Sequence, residues 1–395
     1  MEKKIDVNSI KIQNKRLILK EIIKNKLISR NSIANELGLS VVTIAKILQE
    51  ITDSDVIREV RDMSSTVGRK PNLLQFSAEV RKMVAIDLSS RHFSFSIIDL
   101  GLDIESTHLF EYIENLGYES NLHNFLSETR KFILENGLNG KIVGVGVSVP
   151  GAYNKLEDRV ICTKIPELPI IKLKEVFSQY FKINIVVEQD IRLMIMQDTQ
   201  YMEHLFKQNI FYIYVGEGTG GAILIDGNIY CGANDLAGEV GQMLVNEHKS
   251  LHNLISWEKF IAIAKKHYNE LNDKNLSDIN EYLKSKYDQA DAFIMEEVNK
   301  VAEVFSQAIM NIVCIIDPHI IIISGNYNIF GNKFVELLRE YSARFIIPEV
   351  LADLKIQLSE SGSEGAVLGL GYLLREKWID NLIQPNNNYI RGVVV

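Results

Sequence analysis

The chain has 395 residues, of which 46% are hydrophobic, and its formal net charge is −8. This length and composition predict a multidomain soluble protein with two or three hydrophobic cores. No uninterrupted apolar run approaches the ~20 residues that a membrane-spanning helix needs. The first 16 residues are basic but lack the apolar stretch of a signal peptide. The three cysteines are far apart, which suggests neither a disulfide framework nor a thiolate metal site and fits a reducing cytoplasm. We expect Cys162, Cys231 and Cys314 to be small core residues.

Residues 27–51 have the spacing of a helix-turn-helix. Ser29 is a candidate cap for a first helix over residues 30–37, and Gly38 supplies the left-handed turn. Ser40 is a candidate cap for a second helix, whose apolar residues at 44, 47, 48 and 51 recur at helical spacing. The opposite face, which we expect to contact DNA, carries Ser40, Val41, Thr43, Ala45, Lys46 and Gln49.

The same pattern also suits an ordinary helical hairpin, and the distribution of charge favours DNA binding over that alternative. Residues 1–72 hold 14 Lys and Arg against 9 Asp and Glu, whereas the remainder has a net charge of −13. Neutralising phosphates with such an excess supplies most sequence-independent DNA affinity. Residues 56–76 then alternate polar and apolar positions around a Ser/Gly turn, which predicts a two-stranded wing with Arg69 and Lys70 near its base.

Strands and helices alternate through the rest of the chain. Residues 83–100 indicate two strands with a turn near 89–91, and the runs 142–153 and 183–190 indicate two buried strands. Residues 210–230 indicate a hairpin with a glycine-rich bend, and 291–316 a long helix. The order hairpin, strand, helix, strand, helix occurs twice, so we expect an α/β fold of two similar lobes with a cleft between them.

These motifs together resemble the ROK family (repressors, open reading frames and kinases), and more narrowly its sugar-responsive repressors. The resemblance covers residues 12–378 and is carried by GRKPNLLQF, IDLSSRHFSFSIIDL, VGVSVPGAY, VEQD, VGEGTGG and LAGEVGQM. It implies a winged helix-turn-helix followed by a two-lobed, actin-like body of the hexokinase type. We therefore expect a DNA-binding domain at 1–76, a first lobe at 77–190 and a second lobe at 191–395, with the last helix returning to the first lobe.

The phosphate-binding turn of the family's kinases, Asp-x-Gly-Gly-Thr, is altered in this chain. Asp87 is retained, but Ser89, Ser90 and Arg91 replace the two glycines and the threonine. Side chains at these positions obstruct the approach of backbone amides to phosphate, so we expect no ATP transfer and no enzyme activity. A second glycine-rich bend at 216–221 suits either a phosphate cradle or a tight hairpin turn, and we favour the turn.

The family's sugar-binding carboxylates correspond to Asp190, Glu239 and, by a looser alignment, Glu258. Gln189 and Arg192 stand where the family usually has asparagine, and Gln242 stands where it has histidine. The resemblance implies an effector site at Asp190, Gln189, Glu239, Gln242 and Glu258, with Arg192 either intruding on a neutral sugar or meeting an anionic group.

The family's zinc-binding cysteine loop is absent, so no cofactor is expected. His248 and His252 have a spacing that can bind metal on a helix, but they lack a third ligand. Apolar packing of Leu251, Leu254 and Trp257 is expected to hold the loop instead.

The leading hypothesis is a cytoplasmic transcriptional regulator, a repressor of carbohydrate genes, that binds an operator as a homodimer or tetramer and senses a sugar. One alternative is an ATP-dependent sugar kinase with a DNA-binding arm. Another is a repressor that has lost its small-molecule response and answers to a protein partner.

Overall fold

The computed structural model describes residues 7–51, 55–61, 72–88, 92–161, 163–202, 207–246 and 248–384. The chain forms two compact units, one of residues 1–188 and 367–395 and the other of residues 189–366. The first unit contains both the predicted DNA-binding segment and the predicted first lobe. The domain boundary expected at residue 76 therefore stays a prediction.

Three helices and a three-stranded sheet form the N-terminal part of the first unit. They are α1 (Val7–Asn25), β1 (Leu27–Ser29), α2 (Arg30–Leu37), α3 (Val41–Glu50), β2 (Ile57–Arg61) and β3 (Asn72–Phe76). The helices α2 and α3 and the antiparallel pair β2–β3 confirm the elements predicted for this region. Helix α1 was not predicted, and it packs through Ile18, Leu19 and Ile22, which are fully buried.

A five-stranded sheet forms the rest of the first unit. Its strands are β4 (Lys82–Asp87), β5 (Ser94–Asp99), β6 (Ile104–Leu109), β7 (Ile142–Val149) and β10 (Ile185–Gln189), in the spatial order β10-β7-β4-β5-β6. Strands β4, β5 and β6 are antiparallel neighbours, and β7 runs parallel to β4. Around the sheet lie α4 (Tyr118–Glu135), the two-stranded β8 (Ala152–Asn154) and β9 (Arg159–Ile161), and α5 (Leu173–Tyr180).

The C-terminal helix α13 (Gly365–Ile383) packs on this sheet with its residues from Val367 onward. Two glycines of β7 allow the close approach. A Cβ at Gly144 would lie 2.9 Å from Leu374, and a Cβ at Gly146 would lie 2.8 Å from Leu370. The glycines of β7 therefore lie where α13 packs closest to the backbone of the strand.

The second unit has a sheet of the same design. Its strands are β11 (Ile210–Val215), β12 (Thr219–Ile225), β13 (Asn228–Ile229), β16 (Ile320–Gly325) and β17 (Lys355–Leu358), in the order β13-β12-β11-β16-β17. Three antiparallel strands are followed by parallel strands on the other side of the first strand, as in the first unit. The expected duplication is confirmed. The remaining elements are α6 (Asp190–Thr199), β14 (Leu244–Asn246), β15 (Lys249–Ser250), α7 (Leu251–Ile255), α8 (Trp257–His267), α9 (Leu276–Asp288), α10 (Ala292–Ile316), α11 (Asn332–Ser342) and α12 (Pro348–Asp353).

Helix α10 is the one helix among the described residues that is long and apolar enough to cross a membrane. Its residues Val298, Phe305 and Ile309 instead belong to the hydrophobic core of the second unit. This is the pattern of a core helix, since an apolar helix in a large protein is buried against its neighbours. Cys314 lies on the opposite side of α10 and is exposed, so the expectation that it is a core residue was wrong. Cys162 lies outside the described residues.

Candidate DNA-binding and effector sites

The second helix of the predicted helix-turn-helix, α3, begins at the predicted cap. The hydroxyl of Ser40 accepts a hydrogen bond from the backbone N–H of Thr43, at 3.0 Å, and contacts the Thr43 hydroxyl at 2.8 Å. Gly38 takes a left-handed conformation with φ of 66°, and Ser29 caps α2 in the same way as Ser40 caps α3. The turn geometry thus follows from three residues that were identified in the sequence.

The predicted DNA-facing residues lie on the accessible side of α3. Its apolar side is buried at Ile44 and Ile47, whereas Ser40, Val41, Lys46 and Gln49 are exposed and Thr43 and Ala45 are half-buried. Sequence reasoning missed Val42, whose side chain is 79% exposed in the first turn of α3. An exposed valine at the N-terminal end of such a helix is suited to apolar contact with a thymine methyl group.

Several cations of α1 are engaged by carboxylates within the protein. Lys11 and Lys15 lie 2.8 and 3.1 Å from the Glu50 carboxylate at the end of α3. Hydrogen bonds from Lys11, then Lys15, hold the pKa of Glu50 below its ordinary value. The charge count of the N-terminal region therefore overstates the positive charge that remains to meet DNA. The predicted wing residues Arg69 and Lys70 lie outside the described residues.

The predicted effector residues Gln189 and Glu239 meet in the second unit. The Gln189 side-chain amide donates to Glu239 Oε1 at 3.0 Å. Gln189 is buried at the end of β10, and Glu239 is half-buried in the loop before a 3₁₀ turn at Val240–Gln242. Burial raises the pKa of Glu239, whereas the hydrogen bond from Gln189 and the charge of Arg192 act in the opposite direction. An ionised carboxylate in such a setting is a strong acceptor for hydroxyl groups.

Asp190 and Arg192 occupy the first turn of α6. One Asp190 oxygen accepts from the backbone N–H of Ile191 at 2.8 Å, so this carboxylate is fixed at the start of the helix. Arg192 is fully buried and donates to the backbone carbonyl of Asp235 at 2.7 Å. Asp235 is a residue that sequence reasoning missed, because it lies 43 positions along the chain from its partner.

Gln242 and Glu258 are both exposed. The backbone N–H of Gln242 donates to the carbonyl of Glu239, which keeps the two residues in one turn. Within the described part of the chain, Glu258 has no hydrogen-bond or ion-pair partner. The structure therefore joins Gln189, Glu239 and Gln242 through direct contacts, whereas the effector role of Glu258 stays a prediction.

The loop that follows Glu239 is held by apolar packing, as predicted. Leu251 and Trp257 are buried in the core of the second unit, and Leu254 packs against it. His248 precedes β15 in a left-handed conformation, so it does not share a helix with His252, contrary to the metal-binding spacing considered from the sequence. His252 instead contacts the Thr219 hydroxyl at 3.2 Å. This donor set lacks thiolates and does not fit the family's zinc, and no group of three metal-binding side chains occurs among the described residues.

The glycine-rich bend at 216–221 is the turn of the β11–β12 hairpin. Val215 pairs with Thr219, and the Gly216 N–H donates to the carbonyl of Gly218 at 2.8 Å. The hydroxyl of Tyr214 covers this turn, since a Cβ at Gly216 would lie 2.3 Å from it. The bend is thus a hairpin turn, and the expectation that it does not bind phosphate stays a prediction. The altered first turn, at Ser89, Ser90 and Arg91, lies outside the described residues.

Comparison with known proteins agrees with this architecture. A xylose repressor of Caldicellulosiruptor bescii is 26% identical over 377 residues, covering 90% of this chain and 94% of the repressor. A glucokinase of Halalkalibacterium halodurans is 22% identical over 268 residues, covering 62% of this chain and 79% of the kinase. The crystal structure of a ROK family transcriptional regulator, a homologue of the E. coli MLC protein, covers 95% of this chain and 98% of its own, with a TM-score of 0.76 and 17% identity.

The structural match confirms the expected fold, a mixed α/β, actin-like body preceded by N-terminal helices. The ROK family profile matches residues 83–377, which is most of the chain, and the resemblance inferred from the sequence is thereby confirmed. The chain belongs to the ROK family.

Proposed function

We propose that this protein is a transcriptional repressor that binds operator DNA through α3 and releases it when a sugar binds near Glu239. The observation that carries the proposal is the combination, in one chain, of an N-terminally capped helix with an exposed polar face and a ROK body. The relatives named as xylose repressors, and the fold shared with a ROK regulator, support a sugar-responsive DNA-binding repressor.

The DNA contacts are assigned to the exposed side of α3. Lys46 contacts phosphate, and the short side chains of the first turn approach base edges, with Val42 added to the predicted set. Two copies of α3 are needed for two half-sites about 34 Å apart or a multiple of this, so the active species is a homodimer or tetramer in the cytoplasm.

The effector contacts are assigned to the second unit. Glu239, oriented by Gln189, and Asp190 accept hydrogen bonds from sugar hydroxyls, while Gln242 and Glu258 contribute at the margin. The repressor names of the relatives make xylose the first sugar to test. The sugar acts by population shift, because only a difference in its affinity for the DNA-competent and DNA-incompetent states changes operator binding.

Phosphoryl transfer is not part of the proposal, although the family includes kinases. Replacement of both glycines and the threonine of the first phosphate turn by Ser89, Ser90 and Arg91 supports binding without turnover, and so does the Tyr214 hydroxyl that covers Gly216.

The test is a genomic DNA selection with the full-length protein, followed by gel shifts on the recovered fragments. A variant with Val42→Glu and Lys46→Glu changes two exposed side chains of α3, so it is expected to fold and to lose DNA binding. A matched variant with Lys284→Glu on the exposed side of α9 is expected to bind as the wild type does. Equal binding by all three proteins, or sugar-dependent ADP release that requires Asp190, would overturn the proposal.

A further inference from the structure

Arg192 is an unusual residue for the start of α6, because a fully buried arginine requires compensation of its charge. Its Nη2 donates to the Asp235 carbonyl at 2.7 Å, and its Nη1 lies 3.8 Å from the Asp235 carboxylate. The charge of Arg192 also lowers the pKa of Glu239. One guanidinium thus acts on two residues of the same loop.

That loop is pressed against the edge of β12. Gly238 has a φ of 100°, and a Cβ there would lie 2.5 Å from the carbonyl oxygen of Gly221. A Cβ at Gly241 would lie 2.0 Å from the carbonyl oxygen of Thr219. The segment on both sides of Glu239 is therefore fixed to the sheet by close backbone contact.

The preceding part of the loop is contacted by Arg192 at Asp235. Asp235 adopts a left-handed conformation with φ of 59°, which is uncommon for residues other than glycine. The guanidinium contacts both its carbonyl and its carboxylate, and so joins this residue to α6. Gln189, three residues before Arg192, binds the other end of the loop at Glu239.

We propose that Arg192 is a positioning residue for the effector site: with Gln189 it clamps the 235–239 segment so that Glu239 is held ready to accept hydrogen bonds from the effector. That an effector binds at Glu239 rests on the proposed function, whereas the clamping of the 235–239 segment does not. Because Asp235 already meets the guanidinium charge, an anionic group on the ligand is not required. Preorganisation of this kind lowers the ordering cost of binding.

The first test uses full-length protein without any ligand and measures hydrogen–deuterium exchange. Arg192→Met is expected to speed exchange of residues 232–242 by about tenfold or more, because local opening of this segment then breaks no contact with the guanidinium. Asp235→Asn removes the carboxylate but keeps the backbone carbonyl that Arg192 binds at 2.7 Å, so it is expected to give a smaller increase. Their combination is expected to add little beyond Arg192→Met alone, since that change already removes both contacts with Asp235. Arg192→Lys, which keeps the charge but not the fork of donors, is expected to fall between wild type and Arg192→Met.

The matched control is Arg339→Met. Arg339 also donates to backbone carbonyls in the second unit, those of Leu351 and Leu354 at 2.8 and 2.7 Å. Its loss is expected to destabilise the unit while leaving exchange of residues 232–242 relative to β16 unchanged. If Arg192→Met does not fold, the smaller increase expected for Asp235→Asn carries the test, since Asp235 is only half-buried and this change removes its ion pair with Arg192.

The second readout is the pKa of Glu239, followed by 13C NMR of labelled glutamate and assigned with Glu239→Gln. Arg192→Met is expected to raise this pKa, because the cation that favours the ionised form is lost. The charged groups involved are Arg192 of α6 and Asp235 of the same loop. Unchanged exchange of residues 232–242 together with an unchanged Glu239 pKa would overturn the clamp. Faster exchange in a protein that binds no sugar would instead leave the clamp standing and contradict the proposed function.

Discussion

Arg16 and Glu376 form an ion pair, with 3.1 Å between Nη1 and Oε2, that joins the first helix of the protein to its last. Lys20 lies 3.1 Å from the same carboxylate, and Arg16 also contacts Asp380. The N-terminal helices are therefore fastened to α13 by a cluster of four charges within the first unit.

This cluster is expected to contribute modestly to stability. A double-mutant cycle with Arg16→Met and Glu376→Gln is expected to give a coupling of about 0.5–1 kcal/mol, since both side chains are partly exposed and solvent screens their attraction. The coupling is measured by urea unfolding at low and high salt, and it is expected to shrink at high salt. Strictly additive effects of the two changes at both salt concentrations would show that the pair stabilises nothing.

Two substitutions of Ser40, the cap of α3, test its role in stability and its role in DNA binding separately. Ser40→Ala removes the acceptor for the Thr43 N–H and is expected to cost about 1 kcal/mol of unfolding free energy in the N-terminal region. Ser40→Asp keeps an acceptor at the cap, so it is expected to retain the stability. It is also expected to bind DNA more weakly, because its charge meets phosphate. Denaturation and gel shifts on the same proteins compare the two effects, and equal DNA affinity of Ser40→Asp and wild type would place Ser40 away from the DNA.

Lys46 is expected to contact a phosphate. Lys46→Gln should weaken binding to specific and non-specific DNA alike and lower the slope of log K against log salt by about 1. Fluorescence anisotropy between low and moderate salt measures the slope, with Lys284→Gln on α9 as the control. A slope identical to that of the control variant would remove Lys46 from the interface.

The ionised Glu239 side chain is expected to lower the free energy of unfolding at neutral pH. Its pKa in the folded protein is raised by burial, so ionisation is less favourable there than in the unfolded chain. Its contribution therefore becomes unfavourable as pH rises from the unfolded value through the folded pKa, and it is absent below both.

Glu239→Gln keeps a carbonyl oxygen to accept from Gln189 and removes the charge. The melting temperature of Glu239→Gln is expected to exceed that of wild type by roughly 3 °C at pH 7 and to match it near pH 4. Scanning calorimetry at the two pH values tests this, with the exposed Glu258→Gln as the control. A Glu239→Gln protein that is less stable than wild type at pH 7 would show that the carboxylate is needed for the fold.

Local rules account for the parts of the fold that the sequence predicted correctly. Ser29, Gly38 and Ser40 act on amides within three residues, so caps and turn followed from short spacings. The strand–helix alternation and the limits of α10 followed from hydrophobic periodicity. Helix α1 was missed because its apolar residues are interrupted by lysines, which bind Glu50 and Glu376.

The arrangement of the effector site depended on contacts that no local pattern encodes. Gln189 and Arg192 were recognised only as departures from the family's asparagines, and their partners lie 50 and 43 residues away in the chain. The two departures turn out to serve the same loop. Likewise, the count of basic residues near the N-terminus gave no sign that Lys11, Lys15, Arg16 and Lys20 are engaged by carboxylates.

The most direct test of the central claim measures operator affinity of the full-length protein with and without each sugar of a panel, in wild type and in Glu239→Gln. A sugar that binds near Glu239 is expected to weaken wild-type binding to the selected DNA by about tenfold or more. Glu239→Gln is expected to bind the same DNA with unchanged affinity and to ignore the sugar. A sugar response that survives intact in Glu239→Gln would contradict the account.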